Sequence, residues 1–277
     1  TLRAAIQETN SLVGADIINL PAGTYVLSIQ GILENAATTG DLDITENLTI
    51  VGDSAATTII DANKIDRVFH IIGSIDVQIS NVSISDGLTD FYDPPDEGGG
   101  GIFNQSGEVK LKDVIIRNND SGGSDGGGGI YNLDGTLNIE NSNIIENSGF
   151  FAGGIGNKGI FNLTLVNSKI SNNGDVGIVM LSVSNGTVTA INTEFSGNFG
   201  GMTHGDFIGS VTVENCTFDS NNGNAALDTG IGTITNSTFN NNDVAIMAFG
   251  TTTVQNCSFS GNSGNPTYNQ GHGTIHV

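Results

Sequence analysis

The chain has 277 residues, with 8 Lys and Arg against 29 Asp and Glu, a formal net charge of −21. That charge repels phosphate backbones and anionic lipid surfaces, which excludes nucleic acid and membrane surfaces as natural partners. Forty Gly, 4 Pro and no Trp describe a chain that turns often, and its apolar runs, such as VFHII at 68–72, are far shorter than a membrane helix of ~20 residues.

In chain order, TLRAAIQETNS comes first. Leu2, Ala5 and Ile6 stand at helical spacing behind a Thr that can cap, so a short amphipathic helix within residues 1–12 is predicted to plug one end of a core. Residues 13–80 are read as the first coils of a repeat that becomes regular from 81 onward. Aligned on its first Asn, the repeated phrase is NVSISDG at 81, DVIIRNN at 113, NSNIIEN at 141, NSKISNN at 167, NTEFSGN at 192, NCTFDSN at 215, NSTFNNN at 236 and NCSFSGN at 256. The spacings are 32, 28, 26, 25, 23, 21 and 20 residues, which describes a solenoid whose early turns carry loop insertions.

Chemistry repeats with position. Three residues after the first Asn come Ile84, Ile116, Ile144, Ile170, Phe195, Phe218, Phe239 and Phe259, a column that must point inward. Six residues after it come Gly87 and then Asn119, Asn147, Asn173, Asn198, Asn221, Asn242 and Asn262, suited to a bend with left-handed or side-chain-bonded backbone. Ahead of the first Asn the residues alternate, as in GTLNIEN and SVTVEN, and period two means strands. Short strands with Asn and Gly bends recurring each ~20 residues wind into a parallel β-solenoid whose equivalent residues stack about 4.8 Å apart. The prediction is one all-β domain over 1–277, a right-handed parallel β-helix of about ten coils with internal Ile/Phe and Asn ladders. A leucine-rich repeat is the rival; it wants Leu at several fixed positions and a helical return, where this chain has Gly, Asn and Ser.

Cys216 and Cys257 share one column with Ser237 between them, so they stand two coils apart, roughly 10 Å. A disulfide needs Cα atoms within about 7 Å, so both are expected to be free, buried thiols. The N-x-S/T sequons at Asn81, Asn215, Asn236 and Asn256 coincide with the ladder, and burial explains them better than glycosylation.

LRAAIQETN followed by GADIINLPAGTYVL at 14–27 resembles the N-terminal module named for its CSLREA motif, which opens many secreted bacterial right-handed parallel β-helix proteins. Leu2, Arg3, Ala5, Ile6, Asn10, Ile18, Leu20, Pro21, Gly23 and Tyr25 carry the match; Thr1 replaces the Cys-Ser part and Ala4 the Glu. The resemblance implies a secreted or cell-surface protein with a pectate-lyase-like helix, often part of a longer chain, and implies no reaction. The start at Thr1 sets the expectation that an export signal was removed or lies outside the sequence. GHGTIHV at 271–277 begins another coil, which suggests that the chain continues or that subunits associate end to end.

Two insertions follow the second Asn of their coils, at 86–101 (DGLTDFYDPPDEGGGG) and 119–129 (NDSGGSDGGGG). They bring Asp86, Asp90, Asp93, Asp96, Glu97, Asp120 and Asp125 into one neighbourhood, an oxygen-only set that suits Ca²⁺; the alternative is acidic loops that are merely solvated. After them, GGGIFN, GGGIYN and AGGIGN place Phe103 and Tyr131 on the outer face, with Gly156 leaving a gap. Exposed stacked rings would make a sugar platform; a loop folded over them would not. For catalysis, the pectate-lyase-like resemblance directs attention to Arg117 near the acidic loops, and His204, Asp206 and Asp228 lie on successive coils. No complete catalytic set of that family is present, and GHG at 271–273 lacks its Asp partners. Two functions are therefore carried forward. The first is a non-catalytic extracellular structural or adhesive module touching a polysaccharide or other surface proteins. The second is a polysaccharide lyase, epimerase or hydrolase.

Overall fold

The computed structural model describes residues 1–31, 34–89, 98–122, 126–181, 185–204, 209–223, 225–264, 267–269 and 274–276. Three parallel sheets of 11, 10 and 10 strands run the length of the chain, each strand pairing with its equivalents one coil before and one coil after. A small fourth sheet joins Leu88–Thr89, Asp120–Ser121 and Ser148–Gly149 at one corner.

One coil shows how the sequence does this. Thr136–Glu140 alternates inward Leu137 and Ile139 with outward Thr136, Asn138 and Glu140 and belongs to the first sheet. Asn141 then turns the chain with φ 50°, a left-handed conformation that Asn tolerates better than other side chains. Asn143–Ile145 gives a short strand of the second sheet, Glu146 turns again at φ 57°, and Asn147 follows. The same two positive-φ positions recur at Asn167 and Asn172, Asn215 and Ser220, and Asn236 and Asn241. The left-handed bends thus belong to the first Asn of the phrase and to the residue five later, whereas the Asn six later acts through its side chain.

That second Asn forms the ladder. Each amide oxygen accepts both the backbone N–H and the side-chain Nδ2–H of the Asn one coil earlier, at 3.0 and 3.1 Å for Asn198 receiving from Asn173. Each Nδ2 also donates to a main-chain carbonyl, Ile170 O in the case of Asn198. The pattern runs from Asn119 to Asn262. A second buried ladder, Asn104–Asn132–Asn157, lines the third sheet. Inside, Phe195, Phe218 and Phe239 stack at 4.7 and 4.8 Å, and Phe259 follows at 5.3 Å. The column before them is a ladder of small polar side chains: Ser142, Ser168, Thr193, Cys216 and Ser237 each accept a backbone N–H from the previous coil. Both thiols are free; Cys216 is buried, but Cys257 is only half-buried, because fewer coils follow it.

The N-terminal helix spans Leu2–Ser11, its first turn capped by Thr1 Oγ1 accepting from Ala4 N. Leu2 and Ile6 join the core. Arg3 is buried and donates to the carbonyls of Ala37, Thr39, Gly40 and Asp41, while Asn10 donates to Asp43 O and accepts from Thr45 N. The helix is therefore stitched to the first strand of the third sheet by side chains as well as by apolar contact.

Candidate functional site

The inserted loops leave the solenoid at the corner between the second and third sheets. Among the described residues, Asp86 and Asp120 remain of the predicted acidic cluster; Asp90, Asp93, Asp96, Glu97 and Asp125 lie outside them. Asp86 occupies a left-handed bend, its carbonyl accepting from Lys64 N, and Asp120 N donates to Gly87 O one coil away. Lys64, Asp120, Glu146 and Ser148 line a cavity of about 250 Å³. Partial burial raises the Asp120 carboxyl above its usual range, and the Lys64 ammonium pulls it back. Asp175, on a later coil of the same corner, is likewise raised by burial.

Phe103 and Tyr131 do stack, with ring centroids 5.4 Å apart, but they are 1% and 0% exposed, so of the two arrangements it is the covered one, and not the open sugar platform, that the structure shows. The glycine runs fold back over the rings. A Cβ on Gly98 would stand 3.5 Å from Tyr131 Cγ, and one on Gly156 would stand 2.9 Å from Gly126 O, so backbone fills the gap expected at Gly156. Only residues without a side chain allow that cover.

The exposed aromatics are elsewhere. Phe150, Phe151 and Phe199 are 65%, 46% and 50% exposed, and Phe150 and Phe151 meet edge to face at 4.8 Å. The pair directly follows Ser148–Gly149, the last strand of the corner sheet, and Phe199 N donates to Asp175 O. The available signal was the FF pair just past the second Asn of its coil, where the chain leaves the alternating pattern.

The described catalytic candidates divide between two sheets, with the His204 and Asp228 strands paired in one of them. Arg117 closes a strand of the second sheet, whereas Asp228 and His204 stand on strands of the third. Asp228 is buried, and Asp206 lies outside the described residues.

A second constellation, which sequence reasoning missed, lies buried toward the N-terminal end of the third sheet. Register places Asp43 beside His70, and His70 beside Phe103, in the column that continues to Tyr131. His70 stacks on Phe103 at 4.8 Å, its Nδ1 lies 3.3 Å from Asp43 Oδ1, and the Arg67 guanidinium covers the Phe103 ring at 5.3 Å. Arg67 Nε lies 3.5 Å from Asp41 and 3.9 Å from Asp66. Burial, reinforced by the Asp66 and Asp43 carboxylates, pushes Asp41 up to about 9, with Arg67 acting the other way. The signal was GDLDIT at 40–45 and DRVFH at 66–70: charged residues inside apolar alternation that the pleat turns toward neighbouring coils.

A family model described as right handed beta helix region matches residues 162–277. No curated protein sequence matches the chain. Among solved structures, the A-module of mannuronan C-5 epimerase AlgE4 from Azotobacter vinelandii is similar at 14% identity and a TM-score of 0.51, covering 99% of this chain and 96% of that one. ORF18 of Geobacillus virus E2 is similar at 17% identity and a TM-score of 0.59, covering 98% of this chain and 58% of that one. A pectin methylesterase from Yersinia enterocolitica is similar at 12% identity and a TM-score of 0.42, covering 96% and 93%. At such identities the likeness concerns the path of the backbone, and together with the coil geometry it establishes that the chain is a right-handed parallel β-helix.

Proposed function

We propose that the protein is a secreted or cell-surface β-helix module that binds a polysaccharide at the inserted-loop corner without transforming it. The observation that carries this reading is the exposure of Phe150, Phe151 and Phe199 along the same corner of the solenoid as Asp120, Glu146 and Asp175, on a backbone tied together by the Asn ladder. Sugar rings present apolar C–H faces to aromatic rings and hydroxyls to carboxylates, and a preformed surface binds them with little ordering cost. The net charge of −21 favours a neutral glycan over a polyuronate unless calcium bridges the two.

The alternative is a polysaccharide-active enzyme. What favours it is the Asp120 carboxyl, raised by partial burial and lining a cavity with Glu146 and Lys64, since a cleft carboxyl with a raised pKa is the kind of group that acid–base catalysis uses. One experiment separates the readings. Binding and product formation are measured on xylan, glucan, alginate and pectate, with Ca²⁺ and with EDTA. The expected result is binding without new ends or unsaturated products, weakened at least tenfold in F150A/F151A. Turnover lost in Asp120→Asn would establish the enzyme, and no binding to any glycan would refute both.

A further inference from the structure

We infer that Asp41, Asp43 and His70 form a structural site for one divalent transition-metal ion, Zn²⁺ being the best fit, buried at the N-terminal end of the solenoid. One ligand atom from each of the three residues lies within 4.8 Å of the other two, and all three residues are buried. Among the described residues they form the one such group.

The unpartnered atoms point to a ligand. Asp43 is 0% exposed; its Oδ2 accepts from Ala37 N at 2.6 Å, but Oδ1, which faces the imidazole, makes no hydrogen bond among the described residues. A buried carboxylate oxygen left without a donor is costly, and a cation on that side removes the cost. The 3.3 Å from Asp43 Oδ1 to His70 Nδ1 is also the separation of two donors on one tetrahedral ion, about 3.3 Å for bonds of ~2.0–2.1 Å. Three carboxyl groups, Asp41, Asp43 and Asp66, crowd together here with Arg67 in contact with two of them, and an ion bound to Asp41 would displace its proton and relieve that crowding. Arg3, the other nearby cation, is bonded to four carbonyls of residues 37–41 and fixes the loop that carries Asp41.

The donor set decides the metal. One imidazole nitrogen with two carboxylates selects Zn²⁺ or a neighbouring first-row ion over Ca²⁺, which takes oxygen donors. Bound there, the ion would tie the strand Leu42–Ile44 to Phe69–Ile72 in the next coil and lock the helix-capped end.

The test is zinc titration of EDTA-stripped protein by calorimetry, with thermal melts. The expected result is one site per chain that raises Tm, is not competed by excess Ca²⁺, and is weakened roughly 100-fold or more in H70Q while His272→Ala and His276→Ala leave it intact. Should H70Q fail to fold, ¹⁵N spectra of the wild-type imidazoles decide, since zinc must shift His70. Zinc that does not bind, that binds H70Q as tightly, or that leaves the His70 resonance unmoved overturns the site.

Discussion

Removing one rung of the inner amide ladder tests how the solenoid is held. Asn198 is the informative position, midway along the ladder. Its Nδ2 donates to Ile170 O at 3.0 Å and to Asn221 Oδ1 at 3.2 Å, and its Oδ1 accepts from Asn173 N at 3.0 Å and Asn173 Nδ2 at 3.1 Å. In N198A the Asn173 amide retains its bond to Ile144 O, and Asn221 Oδ1 still accepts from the residue 198 N–H. The Asn173 main-chain N–H, however, loses its acceptor in a buried place, and the Ile170 carbonyl loses a donor. An orphaned buried donor costs about 1–3 kcal/mol and each of the three remaining lost bonds about 1, which gives roughly 4–6 kcal/mol in all. The comparison is Asn192, in the first Asn column of the same coil. It has one side-chain bond, Nδ2 to Asn167 Oδ1 at 3.1 Å, and a φ of 50°. Asn192→Ala should cost about 1–2 kcal/mol for the left-handed backbone, and Asn192→Gly less than about 1. Urea unfolding followed by far-ultraviolet circular dichroism measures all three. If N198A moves the midpoint no further than Asn192→Gly, the inner ladder is not what holds the coils in register.

Three further outcomes follow from packing and burial. Phe218→Ala, which removes the middle ring of a buried stack, should cost about 3–5 kcal/mol by denaturation, and a cost below 1 would mean the column repacks. Arg3→Lys replaces a fork that reaches four carbonyls with a single ammonium; a loss of about 2 kcal/mol or more and faster hydrogen exchange over 34–45 are expected, and unchanged exchange would contradict the stitched cap. Burial pushes the Cys216 thiol up to about 11, so at pH 8 about one molecule in a thousand carries the thiolate there, and a thiol reagent should label half-buried Cys257 first. Because the folded pKa is the higher one, the stability linked to Cys216 is present below the ordinary thiol range and declines as pH rises through about 11; Cys216→Ser should remove that alkaline decline. Equal labelling rates, or a Cys216–Cys257 crosslink, would contradict the register.

Much of the architecture is written in the sequence, because a solenoid repeats its local rules. Alternation fixes which residues face inward, Asn and Gly fix where the chain bends, and equal spacing obliges equivalent residues to stack, so the Ile84-to-Phe259 column and the separated cysteines needed no distant information. The candidate sites were less legible. Phe103 and Tyr131 were placed on the outward face by alternation, correctly for the strand, but their exposure depended on where the glycine runs at 98–101 and 126–129 travel, and chains without side chains carry no periodic signal of their path. Of the catalytic candidates, His204 and Asp228 do fall on neighbouring strands of one sheet, as their successive coils suggested, whereas Arg117 sits on another sheet, a separation invisible in linear spacing. Asp43 and His70 stand 27 positions apart and look unrelated along the chain; parallel register puts them side by side, and the fold buries both. The sequence by itself determined the coil, its ladders and its cap through local periodicity. Which polar groups are buried together and which aromatics remain exposed was decided only by tertiary structure, because both depend on loops that cross from one coil to the next.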